Sequence, residues 1–189
     1  MPVPELIAER FTLRPLREAD IPELTSACQD SEILRWCMGV PLNYSEETAR
    51  NYIEFSHDAA DNGNELIWGI DLSGTFAGIV SLYNLTDTSA EIGFWLAPVL
   101  RGQGLLTDAA RVVLGFAFDP LGMGLDEVTW TAIAGNAASE RVAIKLGFSD
   151  IRCEEKGTQG RPTENGTETR LDARTATMTR KQFSHIGLD

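Results

Sequence analysis

No stretch of this sequence approaches the run of about 18 apolar residues that a membrane-spanning helix needs. Its opening, Met1-Pro-Val-Pro-Glu5, has neither the basic start nor the apolar centre of a secretory leader. These absences take the membrane out of the reading and make the cytoplasm the expected compartment. Histidine is scarce, with only His57 and His185, and cysteine occurs at Cys28, Cys37 and Cys153, an odd number with no C-x-x-C pair. That pattern argues against a disulfide framework and a zinc site. The cysteines are therefore read as reduced packing residues, and no metal is expected. Positive charge is also in short supply: 16 Lys and Arg against 28 Asp and Glu give a formal net charge of −12. Such a surface repels phosphate backbones, so nucleic acid is not an expected partner. It tolerates a cationic partner, an amine or a basic protein tail, and equally serves solubility alone. An anionic ligand would have to bind through local backbone donors.

What is present is ordinary globular material. With 189 residues and no repeat or low-complexity linker, the chain suits one domain, 1–189, with a sizeable core. Arg10–Leu16 alternates apolar and polar residues and reads as a strand. Asp20 is placed to cap a helix, with Pro22 in its first turn and Glu23 completing a capping-box pattern. A second helix is expected from a Ser45 cap, with Ala49, Tyr52 and Ile53 on one face. Strands over Glu65–Leu72, Phe76–Leu85 and Ala90–Leu96, joined by Ser73-Gly74 and Thr86–Ser89, predict an antiparallel meander. Asp108–Phe118 reads as a buried helix ended by Asp119-Pro120. Glu127–Ile133 alternates as a strand, and Asn136 and Gly147 bracket one more helix. Strands over Asp150–Lys156 and Arg170–Met178 flank a loop-like stretch, Gly157 to Gly166, read as a hairpin loop. The order predicts a mixed α/β sheet with helices on both faces.

The strongest local signal is Glu91-Ile-Gly-Phe-Trp-Leu-Ala-Pro-Val-Leu-Arg-Gly-Gln-Gly-Leu-Leu-Thr107, a strand that runs into Arg101-Gly102-Gln103-Gly104 and then a helix. Glycines let the backbone approach an anion closely, and a helix N-terminus presents unpaired N–H groups with a favourable dipole. The Gly-Lys-Ser/Thr of a P-loop is absent, as are the third glycine and the parallel βαβ unit of a dinucleotide fingerprint. On spacing alone, a tight strand-to-helix connection remains an equal reading.

A second motif, Asn136-Ala-Ala-Ser139-Glu-Arg-Val-Ala-Ile-Lys145-Leu-Gly147-Phe148, follows one strand and one helix later. With the opening R-F-T-L-R-P-L-R-E-A-D, E-I-G-F-W-L-A-P, R-G-Q-G-L and the late Leu171-Asp172, the sequence resembles the GNAT acetyltransferase superfamily. Within it, the likeness is to the branch that acetylates ribosomal-protein N-termini (RimJ/RimL-like). The resemblance spans about Glu9 to Phe183, the expected core. It departs at Val99, where the superfamily often has Gln or Arg, and at Ala143, where many members have a tyrosine that protonates the departing thiolate.

The resemblance implies a GNAT-like fold, a mostly antiparallel sheet whose middle strands splay, and an N-acetyltransferase that uses acetyl-CoA, or another short acyl-CoA, for direct attack by an amine. It implies that Arg101, Gly102, Gln103, Gly104, Leu105, Leu106 and Thr107 hold the pyrophosphate, and that a backbone N–H near Trp95 or Leu96 stabilises the oxyanion. Asn136 is read as helix cap and pantetheine contact, while Arg141 and Lys145 either reach outlying phosphates or sit in solvent. Ser139 is the candidate for the vacant acid role, against plain helix-start hydrogen bonding. Glu91 is the candidate base, against a salt-bridged strand residue, with Asp126 and Glu127 behind it. An acceptor groove is expected from Trp36, Met38, Pro41, Leu42 and Tyr44, each of which is otherwise a core residue. The acceptor is a protein N-terminal amine or a small amine, and a non-catalytic acyl-CoA-binding module stays open as the alternative. The resemblance also admits a homodimer.

Overall fold

Two short strands, β1 (Leu6–Ile7) and β2 (Thr12–Arg14), lead through a 3-10 turn (Glu18–Asp20) into α1 (Ile21–Ala27), α2 (Ser31–Trp36) and α3 (Glu46–Asp61). A meander follows, β3 (Leu66–Leu72), β4 (Thr75–Tyr83) and β5 (Ser89–Leu96), and the glycine loop joins it to α4 (Leu105–Phe118). The chain continues with β6 (Glu127–Ile133), α5 (Ala137–Leu146), β7 (Arg152–Gln159), β8 (Arg170–Thr179) and α6 (Arg180–Ile186). These elements come from a computed structural model, which describes residues 2–163 and 165–186.

The strands form one eight-stranded sheet in the order β1-β2-β3-β4-β5-β6-β8-β7. Every neighbouring pair is antiparallel except β5 and β6. Side-chain alternation divides the core between the two faces. On one face Trp68, Val80, Leu82, Ile92, Leu96, Val128 and Trp130 pack with Val113, Leu114 and Ala117 of α4 and with Ala143 and Leu146 of α5. On the other, Ile67, Phe76 and Ile79 pack with Ile21 and Leu24 of α1 and with Ala49 and Ile53 of α3. The expected mixed, mostly antiparallel sheet covered on both faces is what forms.

The local signals act largely as chemistry requires. Ser45 Oγ accepts from the Thr48 N–H (3.2 Å), and Asn136 Oδ1 from the Ser139 N–H (3.1 Å). Gly147 closes α5 at φ 98°, and Asp119, extended before Pro120, ends α4. Asp20 differs. It stands before α1 but makes no side-chain cap, because its carboxylate accepts from Arg14 Nη1 and Nη2 (2.8 and 2.7 Å) and from the Arg17 N–H (3.0 Å). Arg14 Nε also donates to Asp71 on β3 (2.7 Å). The opening motif thus encodes a buried ion network that ties β2, α1 and β3 together.

The structure adds β1, α2 and α6, which the sequence pattern did not reveal. The first expected strand shrinks to Thr12–Arg14, and β7 extends to Gln159, taking Gly157 out of the expected loop. Of the cysteines, only Cys28 is core; Cys37 is half-buried and Cys153 is exposed on β7.

Candidate active site

The glycine loop turns on two left-handed residues, Gly102 (φ 79°) and Gly104 (φ 78°). A β-carbon at either would meet nothing within 4 Å, so the requirement is conformational rather than one of room. Gly104 is the N-cap of α4, and the first turn-to-turn bond runs from the Asp108 N–H to Gly104 O (3.0 Å). The N–H groups of Leu105, Leu106 and Thr107 therefore have no partner within the helix and form the positive end of its dipole. They line a cavity of about 370 Å³ whose charged residues are Arg101, Arg141, Lys145 and Glu32. This local gathering of basic side chains and helix-start donors sits in a protein of net charge −12.

The cavity exists because the sheet opens. β5 and β6 pair from Ser89 opposite Glu127 only as far as Ile92 opposite Trp130. Beyond that point β5 stays with β4, through Leu96 opposite Gly78, and β6 stays with β8, through Ile133 opposite Ala173. At Gly78 a β-carbon would fall 2.9 Å from Leu96 Cα, a close approach that holds β5 to β4 as it leaves β6. The Ala97 N–H donates to Ala77 O (2.8 Å). Backbone groups alternate along an extended strand, so the N–H groups of Phe94 and Leu96 face the opening and that of Trp95 faces β4.

A second cavity, of about 240 Å³, fills the V between the strands. Its lining includes Met38, Tyr83, Gly93, Thr131, Thr158 and Gln159 and has no charged side chain. Trp36, Cys37, Phe94, Asn136 and Ser139 line both cavities and mark where they meet. One wall of this junction is α2 with the segment after it. Asp30 caps α2, accepting from the Ile33 N–H (3.1 Å), and also accepts from Arg101 Nη2 (2.7 Å). Burial pushes the Asp30 carboxyl up, but the Arg101 bond and the backbone donors outweigh it and hold the group below its ordinary value. Arg101 Nε donates to Leu96 O (3.2 Å), so its side chain braces the loop against α2 and β5. At the other end of α2, Arg161 of the β7–β8 loop donates to the carbonyls of Leu34, Cys37, Met38 and Val40. Its guanidinium caps the C-terminus of α2 and fastens the hairpin over the junction. Burial raises the Cys37 thiol to about 11 against the opposing charges of Arg161 and Arg101, so it stays protonated at neutral pH.

Ser139 lies in the first turn of α5, where its hydroxyl accepts from the Trp130 indole (Trp130 Nε1 to Ser139 Oγ, 3.1 Å). Glu91 lines neither cavity. It stands opposite Tyr83 across β4 and β5, and its carboxylate accepts from Asn84 Nδ2 (2.8 Å). Burial, and then the charge of Glu91, raise the Tyr83 hydroxyl above its ordinary range. Burial likewise raises the carboxyl of nearby Glu65, opposed by a bond with Ser81.

The sequence-predicted residues thus converge in large part. Trp95, Leu96, Arg101, Gly102, Gly104, Leu105, Leu106, Thr107, Asn136, Ser139, Arg141 and Lys145 all line the larger cavity, and Trp36 and Met38 border the smaller one. Gln103 is exposed at the loop tip and lines neither. Tyr44 is a correction: it is 7% exposed in the α1–α3 core, where its hydroxyl lies beside Cys28. Pro41 and Leu42 are exposed, away from both cavities. Asp126 accepts from Arg180 Nη2 (3.0 Å), and Glu127 is exposed; neither lines a cavity. Tyr83, Thr158, Gln159 and Arg161 were missed. Only the paired register of Tyr83 with Glu91 could have drawn attention to any of them from sequence.

Residues 10–149 match the family model described as an acetyltransferase (GNAT) domain. The chain is 32% identical over 149 residues to a Bacillus subtilis (strain 168) protein, "Putative ribosomal N-acetyltransferase YdaF", covering 75% of this chain and 79% of the relative. It is 24% identical over 144 residues to spermidine N(1)-acetyltransferase of Escherichia coli (strain K12), covering 75% and 74%. Among solved structures, RimL, a ribosomal L7/L12 alpha-N-protein acetyltransferase in complex with coenzyme A, superposes with a TM-score of 0.77 at 18% identity, covering 95% of this chain and 98% of that one.

Proposed function

This chain belongs to the GNAT acetyltransferase family, and from that premise we propose that it transfers the acetyl group of acetyl-CoA to a terminal α-amine of a protein or peptide. The carrying observation is the meeting of an anion-binding cavity and an uncharged cavity at Ser139, where β5 and β6 part. The N–H groups of Leu105, Leu106 and Thr107, with Gly102 and Gly104 shaping the approach, hold the pyrophosphate. Arg141 and Lys145 supply positive charge at the rim, and Arg101 acts as a brace. Pantetheine follows the open edge of β5 toward Asn136, and the Leu96 or Phe94 N–H receives the oxyanion.

The amine attacks the thioester carbon, the C–N bond forms and the C–S bond breaks. The sulfur leaves with that electron pair and is protonated across the Ser139 hydroxyl. The proton shed by the amine returns through water to restore the hydroxyl. Glu91 acts behind Tyr83, taking through water the earlier proton that an ammonium form of the acceptor loses before it attacks.

The neutral lining of the smaller cavity supports an α-amine. Such an amine has a pKa of about 7.7–8.0 and needs little help to be neutral, whereas an alkyl amine near 10.4 needs an adjacent carboxylate to bind it and accept its proton. A polyamine acceptor is the second reading, favoured by the spermidine-acetylating relative and the acidic surface. Thiol release from acetyl-CoA with N-terminal peptides and small amines as acceptors separates the two. Turnover with peptides supports the first, and turnover with polyamines alone overturns it. Tight acetyl-CoA binding with no turnover on any amine points to another acyl group or to a non-catalytic module.

A further inference from the structure

The chain has two fully buried tryptophans whose indole donors are treated differently. Trp68 Nε1 donates to a backbone carbonyl, Pro4 O (2.8 Å), the usual way to satisfy a buried N–H. Trp130, 1% exposed on β6, instead spends its donor on the hydroxyl of Ser139, where the two cavities meet. An indole can only donate, and a hydroxyl has one proton and two lone pairs. The contact therefore occupies a lone pair and leaves the serine proton to be directed elsewhere. Among the described residues no protein group accepts that proton in return. The Ser139 backbone is fixed as well, since its N–H donates to Asn136 Oδ1 (3.1 Å). The Trp130 ring is itself held against Phe148, with centroids 6.5 Å apart.

We propose that Trp130 is the positioning residue of this active site: its indole N–H turns the Ser139 hydroxyl so that the serine proton faces the sulfur of the acyl-CoA. The inference rests on the reading of Ser139 as the group that protonates the leaving thiolate. Trp130 touches no reacting atom. It acts by denying Ser139 other rotamers and by polarising the O–H through the accepted bond.

Trp130→Phe keeps an aromatic in the core and removes the donor. The expected result is kcat lowered about tenfold, with KM for acetyl-CoA changed less than about twofold, the pattern of a contribution made only in the transition state. In a Ser139→Ala background the same substitution costs nothing further in kcat, because the group it orients is gone. Benzothienylalanine at position 130 has the indole shape without the N–H and reproduces the loss if Trp130→Phe misfolds. Equal losses with and without the serine overturn the positioning role, as does a loss confined to KM or full activity in the benzothienyl protein. If Ser139→Ala itself leaves kcat intact, it is the acid reading that fails. A fall on Ser139→Ala with none on either Trp130 variant sinks this inference alone.

Discussion

On one side of the cleft, a single local segment presents consecutive backbone N–H groups, from the glycine loop into the first turn of α4. On the other, the wall is assembled from Trp36–Met38, Tyr83, Thr131 and Thr158–Gln159, drawn from early, middle and late parts of the chain. The two sides are steadied differently too. The glycine-loop side, where the proposal puts the cofactor, rests on an apolar helix packed into the sheet. The α1–α3 side has its own apolar core and adds charged fastenings to it: Arg14 with Asp20 and Asp71, Arg101 with Asp30, and Arg161 on the carbonyls at the end of α2. In the proposed reading, a ligand common to a whole family is recognised by backbone, which is insensitive to side-chain replacement. In the same reading, a variable acceptor meets side chains, which can change one at a time.

Four substitutions test that contrast, from the largest expected effect down. Asp71→Asn breaks a buried pair and lowers stability at pH 7 by about 3 kcal/mol, read as a fall in Tm. The Asp71 carboxyl is pushed up by burial but held below its ordinary value by the Arg14 bond and further donors. Its stabilisation is therefore present above the unfolded value of about 3.9 and lost as pH falls through the lower folded value. Hydrogen exchange on acidification should accordingly open β2, α1 and β3 before α4, and the acid limb attributable to Asp71 should vanish in Asp71→Asn. Simultaneous opening of both faces would erase the contrast.

Ser139→Ala strikes the residue the two sides share. It should reduce kcat about a hundredfold while acetyl-CoA binding, followed by calorimetry, holds. Gly104→Val strikes only the cofactor side: a β-branched residue is strained at φ 78°, and acetyl-CoA affinity should fall about thirtyfold with acceptor KM unchanged. Arg161→Ala strikes only the acceptor side by releasing the end of α2, and should raise acceptor KM about tenfold without weakening acetyl-CoA. If these last two variants move the same constant, the sides are not independent, and the Arg101–Asp30 brace is the contact through which they communicate.

Legibility follows the same division. Ser45, Asn136 and Gly147 behave as read because a cap or a left-handed turn is settled within a few residues. α2 escaped notice because it is only six residues long, although Asp30 before Ser31-Glu32 was a usable cap signal. Asp20 looked like a cap and is instead an ion partner, a competition won by Arg14 from outside its own turn. Tyr44 looked like a pocket residue and is core, because which side of a loop faces α1 and α3 is a packing outcome.

By itself, then, the sequence determined the order of the longer strands and helices, the glycine loop and the helix start it leads into, and the place of Ser139 in the first turn of α5. Each of these is a matter of backbone conformation and hydrogen bonding between near neighbours. Tertiary structure alone decided that β5 parts from β6 after Ile92, that Glu91 stands behind Tyr83 rather than in the cavity, and that Arg161 closes the hairpin over α2. The physical reason is that register, burial and long-range ion pairing depend on which surfaces meet, and no spacing along one chain specifies that.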